Sequence, residues 1–193
     1  MAYNAKAYWQ DRSSRWSRAK RKQEHDNLVN FIQNRVPEDG TILDVGSGDG
    51  QIYLFLKEDL GDFLDGRYFM CDIVDGMREK CHEKTGIMPD KWDGKELPYE
   101  DNSFDAIVSI SVMLHVPFDD IKQFVKEHRR VTKEYIFVGT WFDGSDQKTT
   151  GPHCFHHRYY ELFKWFDLEI VEEHETMKRG SKHIRRDWVL RKT

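Results

Sequence analysis

The chain has 193 residues, 38% of them hydrophobic, and a formal charge of −4 at pH 7. That length suits one domain with a sizeable core, and the mild acidity excludes a global attraction to a phosphate backbone or an anionic membrane. No segment approaches the roughly 20 apolar residues that span a bilayer, and the opening "MAYNAKAYWQDRSSRW" lacks the apolar core of a signal peptide, so a soluble, cytoplasmic protein is expected.

In chain order, "SRAKRKQEHDNLVNFIQNRV" (17–36) spaces Leu28, Phe31, Ile32 and Val36 as a helix does and stops before Pro37. Residues 1–36 are expected to be a helical lid or lead-in, and 37–193 the main body of a single domain. "TILDV" reads as the first strand and "GQIYLFLKEDLG" as the helix after it. "RYFMCDI" (67–73) is a second strand, followed by a helix near 75–84, and "KWD" closes a short third strand.

"SFDAIVSIS" (103–111) and "EYIFVGTWF" (134–142) are nearly continuous apolar runs on either side of the helix "DDIKQFVKEHRRV" (119–131). Such runs suit strands buried on both faces. After a helix over "HHRYYELFKWF" (156–166), "DLEIVEEHET" and "IRRDWVLRK" form two strands joined by a turn around Gly180, with no helix between them. The expected fold is therefore α/β: a Rossmann-like, doubly wound sheet, mostly parallel, with an antiparallel final hairpin and helices on both faces. Its ligand belongs at the carboxyl ends of the strands.

The first strand runs into "GSGDG", where glycines let a ligand touch main chain and let the turn adopt angles barred to other residues. A dinucleotide turn counted from Gly46 needs a glycine at position 51, which is Gln51. Asp49 stands where a pyrophosphate would sit, and like charges about 5 Å apart at an effective dielectric near 20 repel by roughly 3 kcal/mol. A ligand carrying positive charge and no phosphate suits the turn better.

"ILDVGSGDG", "YFMCDI", "WDGKELPYEDNSFDAIVSISVMLHV" and the order of the elements resemble the class I S-adenosylmethionine-dependent methyltransferases, in their broad type 11-like group, over about residues 40–175. The resemblance implies S-adenosylmethionine as cofactor. Asp44 and the turn Gly46, Ser47, Gly48 would hold its amino-acid end, Asp72 its ribose hydroxyls, and Ile73, Asp93 and Gly94 its adenine. Ser109 and Ile110 would lie beneath the sulfonium. "YWQDRSSRW" is similar to a stretch that folds over the cofactor in many members, which assigns Trp9 and Arg12 to its methionine end. His115, at the histidine of the family's usual "LHHV" or "LEHV", is the implied general base, and an unperturbed pKa of about 6.5 suits that task.

"HCFHHRYY" (153–160) precedes a helix that roofs the acceptor pocket in the resembling family, so Trp141, His153, His156 and Tyr159 are expected to meet substrate. No metal is expected, because Pro152, Cys154 and Phe155 mark a loop where His153 and His157 would need a helix to share an ion. The three cysteines, odd in number and without close pairing, read as reduced thiols.

Absent motifs narrow the acceptor. The fourth strand ends "SISV" and not the Asp/Asn-Pro-Pro-aromatic of amino-directed nucleic-acid methyltransferases, and no Pro-Cys pair offers the thiol for cytosine attack. The expected reaction is methyl transfer to an oxygen or nitrogen of a small molecule. The alternatives are RNA or protein as acceptor, for which "SSRWSRAKRK" supplies a basic patch, and cofactor binding without turnover. The family's "KPGG" turn before the fifth strand is here "VTKEY", a departure on the acceptor side.

Overall fold

Strands with apolar residues on both faces need helices on both sides to bury them, and the chain supplies them by alternation. The computed structural model describes residues 3–14, 25–142, 148–177 and 184–193. Most of the basic stretch "SSRWSRAKRK", residues 17–24 of the helix expected over 17–36, and the turn around Gly180 lie outside those residues.

Helix α1 (Ala5–Ser13) is capped by Asn4, whose side chain accepts from the Ala7 N–H at 2.9 Å. Helix α2 (Asp26–Arg35) follows, and then the alternating core: β1 (Ile42–Val45), α3 (Gln51–Leu60), β2 (Tyr68–Asp72), α4 (Asp75–Thr85), β3 (Asp90–Lys91), β4 (Phe104–Ile110), α5 (Ile121–Val131) and β5 (Thr132–Phe142). Short strands β6 (Lys148–Thr149) and β7 (Phe155–His156) pair with each other. Helix α6 (Tyr159–Trp165) and the strands β8 (Leu168–Met177) and β9 (Ile184–Lys192) complete the described chain.

The main sheet has the order β3–β2–β1–β4–β5–β9–β8, parallel from β3 through β5 and antiparallel across β9 and β8. The α/β class and the antiparallel hairpin expected from the sequence are thus present. Because the chain steps outward from β1 to β3 and returns to place β4 beside β1, the carboxyl ends of β1 and β4 diverge into a crevice.

The core lies on both faces of this sheet. Leu43, Val45 and Ile107 pack with Phe124, Phe163 and Trp188 on the side of α5 and α6. Ile42, Ala106 and Val108 pack with Leu28, Phe31, Ile52 and Leu56 of α2 and α3 on the other.

Two elements differ from the sequence expectation. The third strand pairs through Asp90–Lys91, because Trp92 turns into the core and Asp93 starts a turn by accepting the N–H groups of Lys95 and Glu96. The helix expected from 156 starts at Tyr159, since Phe155 and His156 are held as a strand against Lys148 and Thr149.

Helix α1 crosses α4 where Gly76 permits close approach. A Cβ there would stand 2.5 Å from the Ser13 hydroxyl, and the Gly76 N–H donates to Gln10 Oε1 at 3.3 Å. This places α1 over the carboxyl ends of the strands.

Candidate active site

The turn after β1 is built from three glycines with positive φ, Gly46 at 77°, Gly48 at 58° and Gly50 at 77°. A Cβ on Gly46 would stand 2.6 Å from Val112, whereas one on Gly48 would meet nothing within 4 Å, because Gly48 faces a cavity. The turn is pinned from β2: Asp72 Oδ2 accepts the Gly48 N–H and Oδ1 accepts the Val74 N–H, both at 2.8 Å. Burial pushes the Asp72 carboxyl above the usual range, and these N–H groups oppose the shift.

The cavity beside this turn holds about 1180 Å³. Its lining includes Asp44, Gly46, Ser47, Gly48, Asp72, Ile73, Asp93 and Gly94 together with Ile110, His115 and Trp141. Trp9 joins the lining from α1. Asp44 is buried and accepts the Tyr68 hydroxyl proton at 3.1 Å. Ser47 Oγ is buried in the cavity wall without a hydrogen-bond partner among the described residues.

A polar ligand end with donors and acceptors fits there. The carboxylates of Asp44 and Asp72 suit hydrogen-bond donors of a ligand, and the bare backbone at Gly48 leaves room beside them.

Asp49, taken from the sequence as a free charge against phosphate, is paired with Lys84 Nζ at 2.5 Å. The cation offsets the repulsion, so Asp49 discriminates less against a pyrophosphate than its charge alone implies.

His115 sits in a short helical turn, Met113–His115, just beyond β4. Its Nδ1 lies 2.7 Å from the carbonyl oxygen of His153. A carbonyl only accepts, so Nδ1 carries the proton and Nε2 keeps its lone pair. Burial lowers the His115 pKa from 6.5 to about 4, with the nearby His153 adding to the effect, so the ring is neutral at pH 7 and does not sit at the unperturbed value assumed from the sequence. Trp9 meets the His115 ring edge-on at 4.7 Å.

The other residues singled out in the sequence lie elsewhere. Ser109 is buried in β4 beneath the cavity floor and does not line it. Arg12 stacks over the Tyr8 ring at 3.6 Å, outside the cavity lining. His153 stacks on Tyr8 at 4.5 Å and on His115 at 5.5 Å, behind the cavity wall. His156 is buried, with Nε2 2.9 Å from Thr150 Oγ1. Tyr159 is fully buried, its ring against Trp188 at 5.2 Å, so it packs the core away from any acceptor. His157 Nε2 is directed at the carbonyls of Met113 and Val116, both at 3.1 Å, which separates it from His153.

Several lining residues were not singled out individually from the sequence. Tyr3 and Gln10 reach the cavity only through the seating of α1, and Val112 through contact with Gly46. Ser111 has φ of 59°, rare for a residue with a side chain, at the point where β4 turns into the cavity wall.

A family model described as a methyltransferase domain matches residues 43–135. Among curated proteins, none matches the sequence. Among solved structures, a SAM-dependent methyltransferase from Aquifex aeolicus is similar with a TM-score of 0.71 at 18% identity, over 95% of this chain and 98% of its own. The magnesium protoporphyrin IX methyltransferase ChlM of Synechocystis PCC 6803, solved with bound SAM, is similar with a TM-score of 0.70 at 13% identity, over 100% and 99%. The cyclase SpnF is similar with a TM-score of 0.68 at 18% identity, over 91% and 83%. At these identities the likeness establishes the fold, and a cyclase among the neighbours leaves the reaction to the site.

Proposed function

We propose that this chain is a class I S-adenosylmethionine-dependent methyltransferase, a reading supported by the family match over residues 43–135 and by the fold it shares with solved methyltransferases, and that it methylates an oxygen or nitrogen of a small molecule seated against His115. One observation carries the proposal: Asp44, the glycine turn and Asp72 share a single cavity with His115 and Trp141. At about 1180 Å³, that cavity exceeds the roughly 300–1,000 Å³ of a typical ligand site. Two ligands side by side suit it.

In this reading Asp44 and the Gly46–Gly48 backbone take the ammonium and carboxylate end of the cofactor. Asp72 accepts from the ribose hydroxyls, and Ile73, Asp93 and Gly94 receive the adenine. Ile110 supports the methionine arm from below and Trp9 covers it from α1. S-adenosylmethionine, when bound, supplies a methyl group already activated on a sulfonium. The protein therefore has to align an acceptor lone pair at about 3 Å and relieve it of a proton.

His115 serves the second need. Its Nε2 lone pair is held ready by the Nδ1–H bond to the His153 carbonyl, and burial keeps the ring neutral at pH 7. Val112, Leu114, Val116, Pro117 and Trp141 give the acceptor end an apolar wall, so the acceptor has an apolar body with one nucleophilic atom near His115. ChlM, named for a porphyrin substrate, has this fold along its whole length, which agrees with a small acceptor.

The test is an acceptor screen with methyl-labelled S-adenosylmethionine against metabolite, RNA and protein fractions. Label in the small-molecule fraction alone is expected. Label in RNA or protein would replace the acceptor class while keeping the reaction.

A further inference from the structure

We propose that His115, His153 and Cys154 form a site for a divalent transition-metal ion of the zinc type. One ligand atom from each of the three residues lies within 4.8 Å of the others. Around tetrahedral zinc, nitrogen and sulfur ligands stand roughly 3.3–3.8 Å apart, from metal–ligand distances of about 2.0–2.3 Å. A shift of no more than about 1 Å therefore closes the cluster onto an ion.

Both imidazoles are already oriented as metal ligands usually are, with the second ring nitrogen engaged by an outer partner. His115 Nδ1 is bonded to the His153 carbonyl at 2.7 Å, and His153 Nδ1 to the Tyr8 hydroxyl at 2.8 Å. That leaves Nε2 of each ring for the ion. Cys154 is the one cysteine of the three that is not fully buried. Two imidazoles and a thiolate, with no carboxylate, select zinc-like ions over magnesium or calcium. Coordination replaces the Cys154 S–H bond by a metal–sulfur bond and releases the proton to solvent.

An ion here joins the loop after β4 to the 153–154 segment and, through Tyr8, to α1. It also takes the His115 Nε2 lone pair away from the acceptor, so occupancy restrains transfer. That consequence rests on the methyltransferase reading. The binding itself does not.

The test uses the untagged full chain, stripped by a chelator and titrated with Co²⁺, then Zn²⁺, with Mg²⁺ as control. One equivalent of Co²⁺ should give a thiolate-to-cobalt charge-transfer absorption that Zn²⁺ abolishes and Mg²⁺ leaves unchanged. Cys154→Ser should lose that absorption, and His153→Ala should weaken Co²⁺ binding by about tenfold or more. Cys154→Ser should keep the wild-type affinity for S-adenosylhomocysteine. Absence of the absorption from the wild type, or its persistence in Cys154→Ser, overturns the site. S-adenosylhomocysteine binding without Co²⁺ binding removes the metal site alone, and Co²⁺ binding without it removes the methyltransferase reading alone.

Discussion

Asp72→Ala separates two jobs that one carboxylate performs. In the structure Asp72 fixes the glycine turn through the N–H groups of Gly48 and Val74, both at 2.8 Å. Hydrogen bonds to a charged acceptor contribute about 1.5–3 kcal/mol each, so losing the pair lowers stability by about 3 kcal/mol or more. Under the proposed function the same carboxylate also accepts from the ribose hydroxyls. Removing that contact costs a further 1.5–3 kcal/mol or so in binding, about ten- to a hundredfold in affinity for S-adenosylhomocysteine. Urea melts read the first loss, and calorimetry at a temperature where the variant is folded reads the second. Asp72→Asn keeps the shape and one neutral acceptor, and it should show the affinity loss with a smaller stability loss. A folded variant with wild-type affinity would refute the reasoning, reducing Asp72 to a staple for the turn.

His115→Ala should lower turnover by roughly 10²–10⁴-fold without changing S-adenosylhomocysteine affinity; a near-wild-type rate on the true acceptor would leave alignment alone to account for catalysis. Gly46→Ala, whose Cβ would stand 2.6 Å from Val112, should destabilise the fold strongly, whereas Gly48→Ala should cost only about 1 kcal/mol of stability yet weaken cofactor binding. Equal stability losses in the two glycine variants would contradict that division. Burial holds His128 at about 4, against Glu127's opposing pull, while the unfolded chain titrates near 6.5. The unfolded state therefore binds the proton first, and stability, full above pH 6.5, falls by about 3 kcal/mol as pH drops toward 4. His128→Leu should flatten the slope of stability against pH in that window, and an unchanged slope in denaturant melts would count against it.

How far these features were legible follows from which interactions are local. The turn after β1 was readable because three glycines on a two-residue beat after an apolar run leave few other conformations. Asp72 was readable because it ends an apolar strand at the same sheet edge. Tyr159 was misassigned to the acceptor because "YY" gives no sign of which ring points inward, and only packing against Trp188 decides it.

The contact of His115 with His153 joins residues 38 apart and depends on the β6–β7 pairing, whose strands of two residues each are too short for a periodic signal. Helix α1 alternates alanine and aromatic residues with polar ones and shows no apolar stripe. Its seat over the cavity, expected only through the resemblance of "YWQDRSSRW", depends on Gly76 and Gln10, a contact that no local pattern encodes. The pKa of His115 was out of reach for the same reason, since burial sets it and α1 contributes to the burial.

The central claim is that this cavity holds S-adenosylmethionine, and calorimetric titration of the wild-type protein with S-adenosylhomocysteine and with NAD tests it most directly. The account predicts a single saturable site for S-adenosylhomocysteine and no heat of binding for NAD. Binding of NAD with no response to S-adenosylhomocysteine would contradict it.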